Sequence, residues 1–139
     1  MHQAHMAQSA VDQRHEATTG LPSDSIEHHF LLSADGGSIR LEVKDAKQAA
    51  DRARVRGHLQ AIARAFAAGD FSMPVQVHDQ VPPGVETLKA RKDAIHYRYA
   101  ETPRGGAVAI TTADPDARGA IHDFLRFQIS DHATGDPVQ

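Results

Sequence analysis

From His28 to Val43 the apolar residues fall at every second position. Phe30 and Leu32 precede Asp35-Gly36-Gly37, and Ile39, Leu41 and Val43 follow it, with Arg40 and Glu42 between them. A period of two belongs to a strand with one buried face, so the stretch predicts a β-hairpin in which Asp-Gly supplies the positive φ of a tight turn. With Ala34 set against Gly37, Leu32 faces Ile39 and Phe30 faces Leu41. His28 then lies on the core side, and His29 lies on the other face opposite Glu42. Beyond Val43 the period lengthens to that of a helix. Asp45 with Gln48 is a capping-box variant, and Val55, Leu59, Ile62 and Phe66 form the stripe of a helix that Gly69-Asp70 ends.

The second half repeats this order. Ile95 to Tyr99 reads as a strand, Pro103-Arg104-Gly105-Gly106 as its turn and Val108 to Thr112 as the return strand. Asp114-Pro115 caps and opens a helix that buries Ile121, Phe124, Leu125 and Ile129. One offset of 69 carries Gly36 onto Gly105, Asp45 onto Asp114 and Phe30 onto Tyr99. Aligning the helices through His58 and His122 requires a five-residue deletion. Between the halves, Phe71 to Asp93 carries turns at Pro74 and Pro82-Pro83, a short extended piece from Val75 to His78 and a helix from Val85 to Lys92.

A hairpin with one helix is too small to bury its own apolar face, so the two ββα units predict a shared core. The expected fold is α+β: a four-stranded antiparallel sheet with both long helices on one face, related by a rough internal two-fold. Residues 1–24 hold few large apolar side chains and follow neither period, which predicts a disordered polar arm. The domain spans residues 25–132, and 133–139 form a tail. His29, Leu31, Arg40, Glu42 and Arg98 fall on the outer sheet face. That face meets either water or a second copy, so a homodimer through it is one expectation.

Composition removes several chemistries. The 139 residues contain no cysteine, which excludes disulfides, iron–sulfur clusters and a thiol nucleophile. No apolar run approaches the roughly 18 residues that cross a bilayer, so no membrane insertion is expected. The chain suits the cytoplasm, or the periplasm if a leader has been removed. Lys44, Lys47, Arg52, Arg54 and Arg56 make a basic cluster, but Asp45 and Asp51 dilute it and the net charge is -3. With no aromatic platform interleaved, nucleic-acid binding is not expected. No phosphate loop, nucleophile elbow or dinucleotide fingerprint occurs.

Ten histidines are the unusual feature. Imidazole is the commonest side-chain metal ligand and titrates near neutral pH. His28 and His29 point to opposite sheet faces, His58 and His122 flank the two helical stripes, and His78-Asp79 precedes the stiff Pro82-Pro83-Gly84 turn. If the two-fold places His58 and His122 alike, they converge with His28 or His78 into a set suited to Cu(II), Ni(II) or Zn(II), with His29 as an outer-face candidate. The plain alternative is a set of satisfied structural histidines. His2 and His5 are spaced for loose ion contact or are chance in a polar arm, and His96 and His132 follow no usable pattern. The leading expectation is thus a non-enzymatic module that binds a transition metal or a metal-containing ligand. Two others stand beside it: a small hydrolase or transferase using His78-Asp79 as general acid and base, and a structural or regulatory dimer without ligand.

Several long stretches carry a resemblance. His28-His29-Phe30, Asp35-Gly36-Gly37, His78 to Val85, Ile110-Thr111-Thr112, Ile121 to Gln128, Asp131-His132 and Thr134 to Pro137 resemble a family of small, little-characterised bacterial proteins. Some of its members carry an automatic label of aspartate carbamoyltransferase. A carbamoyltransferase is similar to two Rossmann-like lobes with a Ser-Thr-Arg-Thr phosphate loop, which this chain lacks. The resemblance covers nearly the whole core and implies position and pattern, not an activity.

Overall fold

The computed structural model describes residues 10, 11, 13, 14 and 25–139. Strands β1 (Ile26–Ser33), β2 (Gly36–Val43), β3 (Ile95–Thr102) and β4 (Gly105–Thr112) form one antiparallel sheet in the order β1-β2-β4-β3. The long helices are α1 (Ala49–Ala67) and α4 (Pro115–His132), with short α2 (Ser72–His78), α3 (Val85–Ala90) and a 3₁₀ turn at Lys92–Ala94 between them. Asp114 caps α4 by accepting from the N–H groups of Asp116 and Ala117, with Pro115 in the first turn where its missing N–H costs nothing.

The two-fold runs through the centre of the sheet. The offset of 69 carries Ile39 onto Val108, and these two residues are register partners in the β2–β4 ladder. A residue paired with its own equivalent marks an axis. Equivalent loop bonds confirm it: Val43 N–H donates to Arg104 O at 2.8 Å, and Thr112 N–H to Asp35 O at 2.9 Å. The glycines serve this axis and not the turns. A Cβ at Gly36 would fall 1.9 Å from the Ile110 carbonyl oxygen, and one at Gly105 2.1 Å from that of Leu41. Removing both side chains lets the central strands approach.

That assignment corrects the hairpin register. Leu32 pairs with Gly37 and Phe30 with Ile39, so the turn residues are Ala34 and Asp35, and His29 faces Arg40 while Glu27 faces Glu42. The shift is two residues, so every side chain keeps its expected face.

Each helix covers the hairpin of the other unit. α1 packs chiefly on β3 and β4, and α4 on β1 and β2. Leu59 lies over Gly106 and Leu125 over Gly37, so the helical offset is 66. Polar ties agree with it. His122 Nε2 donates to Ser33 O at 2.8 Å, and Arg56 Nη2 donates to Thr102 O at 2.7 Å. Ser33 and Thr102 are equivalent at 69, and Arg56 and His122 at 66. The deletion between the halves is therefore three residues instead of five, and His122 corresponds to Arg56, not to His58. Because the helices exchange hairpins, Val55, Leu59, Ile121, Phe124 and Leu125 join β2 and β4 residues in a single buried core.

Two local expectations change. Val75 to His78 is helical, not extended. Asp70 takes the N–H of Ser72 at 3.0 Å and its hydroxyl at 2.7 Å, and Pro74 sits in the first turn of α2, where a helix has no N–H to satisfy. Asp45 does not cap α1: its N–H donates to Gln48 Oε1 at 3.1 Å, its carboxylate takes the N–H of Lys47 at 3.0 Å, and the helix begins only at Ala49, after Gln48. Most of the polar arm, with His2 and His5, lies outside the described residues. Its helical residues Ala10, Val11, Gln13 and Arg14 have an anchor: Val11 is 1% exposed and Arg14 Nε donates to Val77 O at 2.6 Å.

Candidate functional site

A cavity of about 50 Å³ lies between the sheet and the helices. The sheet contributes His28, Phe30, Ile39 and Leu41 to its wall, and α1 contributes His58, Ile62 and Phe66. Met73, Pro74, Val77 and His78 come from α2; Phe124, Gln128 and His132 come from α4. Four imidazoles thus reach one apolar space. No carboxylate, lysine or arginine among the described residues lines it.

His78 is the anchor. The residue is 4% exposed, with Nδ1 on the Asp131 carboxylate and Nε2 on Gln128 Oε1 at 2.7 Å. Both partners sit on α4, three residues apart, so they share a face one turn long and together fasten the inserted helix α2 to α4. His132 is on that same face. Its ring meets His78 edge-on at 4.9 Å and stacks on His28 at 5.6 Å and on Phe30 at 5.4 Å. The result is a continuous row of rings from β1 across α4 to α2.

The internal two-fold shows what is unusual about this row. At the offsets of 69 for strands and 66 for helices, His28 corresponds to Tyr97, Gln128 to Ile62, His132 to Phe66 and His58 to Phe124. The equivalent ring pair, Phe66 and Tyr97, meets edge-on at 6.0 Å. Phe66 also stacks on Phe71 at 4.4 Å. Burial pushes the Tyr97 hydroxyl well above the usual phenol range, and its oxygen has no hydrogen-bond partner among the described residues. Ile62, Phe66 and Tyr97 stand where the other side carries Gln128, His132 and His28, while His58 and Phe124 exchange imidazole and hydrocarbon in the opposite sense.

The expected metal set is only partly gathered. His28, His58 and His78 line the cavity; His122 is spent on Ser33 O, and His29 is on the outer face. Among the described residues no three His, Asp or Glu side chains are grouped to hold a metal ion. His78 takes Asp131 and not its neighbour Asp79, which is the exposed left-handed cap of α2 at φ 55°. In the loop that follows, Gly84 is required for packing, since a Cβ there would fall 2.4 Å from Ala120 O.

His29 belongs to a latch formed by the tail. Its Nδ1 donates to Asp136 Oδ1 at 2.9 Å, and the edge-strand N–H of Phe30 donates to Asp136 Oδ2 at 3.0 Å. Burial works to raise the Asp136 carboxyl, but hydrogen bonds from His29, Thr134 and Phe30 outweigh it and hold the group below the usual carboxylate range. Arg126 Nε donates to Val138 O at 2.8 Å, fixing the far end of the tail.

Gln128, Asp131 and His132 are the site residues that sequence reasoning missed. The signal was present in the stripe itself, because Leu125, Gln128 and His132 recur at helical spacing with two polar members on the buried side. Compared with known proteins, the chain matches no family model, no curated protein and no solved structure.

Proposed function

We propose that the protein is a binding module that holds a small, mostly apolar molecule in the cavity beneath β1. The imidazoles of His28, His58, His78 and His132 form part of its wall. The observation that carries this reading is the contrast between equivalent places: Gln128 and His132 put an amide and an imidazole where Ile62 and Phe66 are hydrocarbon, and His28 puts an imidazole where Tyr97 has a phenol. A scaffold that accepts hydrocarbon at these positions does not need imidazole there to fold, and local departures from packing logic concentrate at functional sites. The space is small. A water needs about 10–15 Å³ measured in this way, so the cavity suits a ligand, or the end of one, of a few heavy atoms.

Binding is favoured over acid–base turnover because the imidazole oriented by a carboxylate, His78, has its second nitrogen engaged by Gln128. A transition-metal ion is the other occupant that gathered imidazoles invite, and the same experiment separates the two. Of the three methionines, Met73 lines the cavity, so its ¹³C-methyl signal reports occupancy. Titration with butan-1-ol is expected to move that signal saturably, while Zn(II) leaves it in place. Saturation by Zn(II) instead would transfer the site to a metal, and no saturable change with either would end the reading.

A further inference from the structure

The two edges of the sheet are equivalent by the internal two-fold, but their donors are served differently. At the β1 edge the Asp136 carboxylate takes both the ring of His29 and the outward N–H of Phe30. The offset of 69 carries His29 onto Arg98 and Phe30 onto Tyr99. The register gives Tyr99 the same outlook. Thr112 N–H donates across to Asp35 O, so even-numbered β4 residues turn their backbone groups toward β2 and odd-numbered ones toward β3. Tyr99, opposite Val108, therefore points its N–H away from the sheet, and no described residue accepts from it. Arg98 is exposed on the outer face beside Ala109 and has no hydrogen bond or ion pair among the described residues.

The counterpart of the latch is used elsewhere. At the helical offset of 66, Gly135-Asp136 corresponds to Gly69-Asp70, and the two glycines share a positive φ, 78° and 81°. After α4 the chain continues along β1, but after α1 it turns into α2, where Asp70 is spent on the N–H and hydroxyl of Ser72. From this we infer that the β3 edge docks an extended acidic segment of another protein, with one aspartate bridging the Arg98 guanidinium and the Tyr99 N–H as Asp136 bridges His29 and Phe30. Arginine suits the place, because its planar fork takes a carboxylate in two hydrogen bonds. β3 has eight residues and no proline, so its backbone leaves an added chain free to pair along it. The nearest carboxylate on the strand, Glu101, is on the opposite face from Arg98 and lies 3.8 Å from Arg56 Nε. The tail of a second copy is the weaker candidate. Asp136 follows the end of α4 at His132 by four residues, so a tail meets its own β1 at a far higher effective concentration than another copy's β3. This docking edge does not depend on the cavity reading.

The test follows the amide spectrum of the ¹⁵N-labelled full chain during titration with a synthetic copy of residues 133–139, blocked at both ends so that its aspartate is its one charge. The Tyr99 amide is expected to shift saturably, with the Phe30 amide unmoved because Asp136 already holds it. Replacing the peptide's aspartate by asparagine is expected to weaken binding about tenfold, and Arg98→Ala in the protein about fivefold. Equal binding of the two peptides, a shift confined to Phe30, or no saturable shift at Tyr99 would each overturn the inference. So would a Tyr99 shift on concentrating the protein alone, which would give the edge to a second copy. The comparison of the two peptides on the wild-type chain decides this even if the variant does not fold.

Discussion

On the β3 side of the sheet, Phe66 lies edge-on to Tyr97 at 6.0 Å, one turn from Ile62 on α1, and the far edges of Ile62 and Phe66 reach the cavity. On the β1 side, the same positions hold His132 stacked on His28 at 5.6 Å, with Gln128 in the place of Ile62. The backbone does not distinguish the two sides: central register, glycine contacts, loop bonds and helix ties all obey one two-fold. The difference is therefore one of side-chain choice. It is reinforced by the inserted helix α2, which occurs once and delivers His78 to the β1 side alone. A duplicated scaffold thus carries its own control, and it separates what folding needs from what the site needs.

The scaffold shared by both sides should fail symmetrically. Gly36→Ala and Gly105→Ala each drive a methyl group into a backbone carbonyl that cannot turn aside, and each is expected to cost about 3 kcal/mol or more. Chemical denaturation measures both; a tolerated alanine at one position and not the other would break the equivalence of the central strands. The side-specific chemistry comes next. Gln128→Ile copies the β3 side but strips His78 Nε2 of its partner, at an expected cost of about 1–3 kcal/mol. In a His78→Leu background most of that cost should vanish, so a double-mutant cycle with no coupling would refute the Asp131–His78–Gln128 chain.

Smaller effects sharpen the same comparison. His122→Ala and Arg56→Ala each remove a helix-to-hairpin tie and should cost about 1 kcal/mol, with Arg56→Ala the larger because Arg56 Nε also donates to Gly105 O at 2.9 Å. Thermal unfolding ranks them, and the reverse order would contradict the assignment of ties. The smallest effect is that of pH on the tail. Asp136 is held below its ordinary value of 3.8, so its stabilising contribution is complete above that value and is lost as pH falls through the lower folded one. The Phe30 amide proton should titrate below the ordinary range and stop doing so in Asp136→Asn. Titration at or above 3.8 would mean that the latch does not favour the carboxylate.

Much of this architecture was legible before any coordinates. Alternation around Asp35 and Arg104 gave both hairpins, and the Asp114-Pro115 cap and the apolar stripes gave both long helices, because those signals act over a few residues. Long-range requirements were misread. Gly36 and Gly105 look like turn residues locally, but their need arises from a strand on the far side of the centre line. Val75 and Val77 alternate as in a strand, yet the start provided by Asp70 and Ser72 and the packing of His78 on α4 make the segment helical. At the site, His28, His58 and His78 stood out as imidazoles at the edge of buried stripes. Matching His58 to His122 by identity, instead of matching Leu59 to Leu125 by burial, hid the correspondence that gives Gln128 and His132 their meaning.

The claim beneath all of this is that the two-fold scaffold leaves a hollow beside His28 and His132 and not beside Tyr97 and the outer edge of Phe66. Crystals of the protein pressurised with xenon test it most directly, because xenon enters apolar cavities without needing a particular partner. The account predicts a xenon peak among Met73, Phe124 and Ile62 and none beside Tyr97 at the equivalent position. Xenon beside Tyr97 as well, or at neither place, would contradict it.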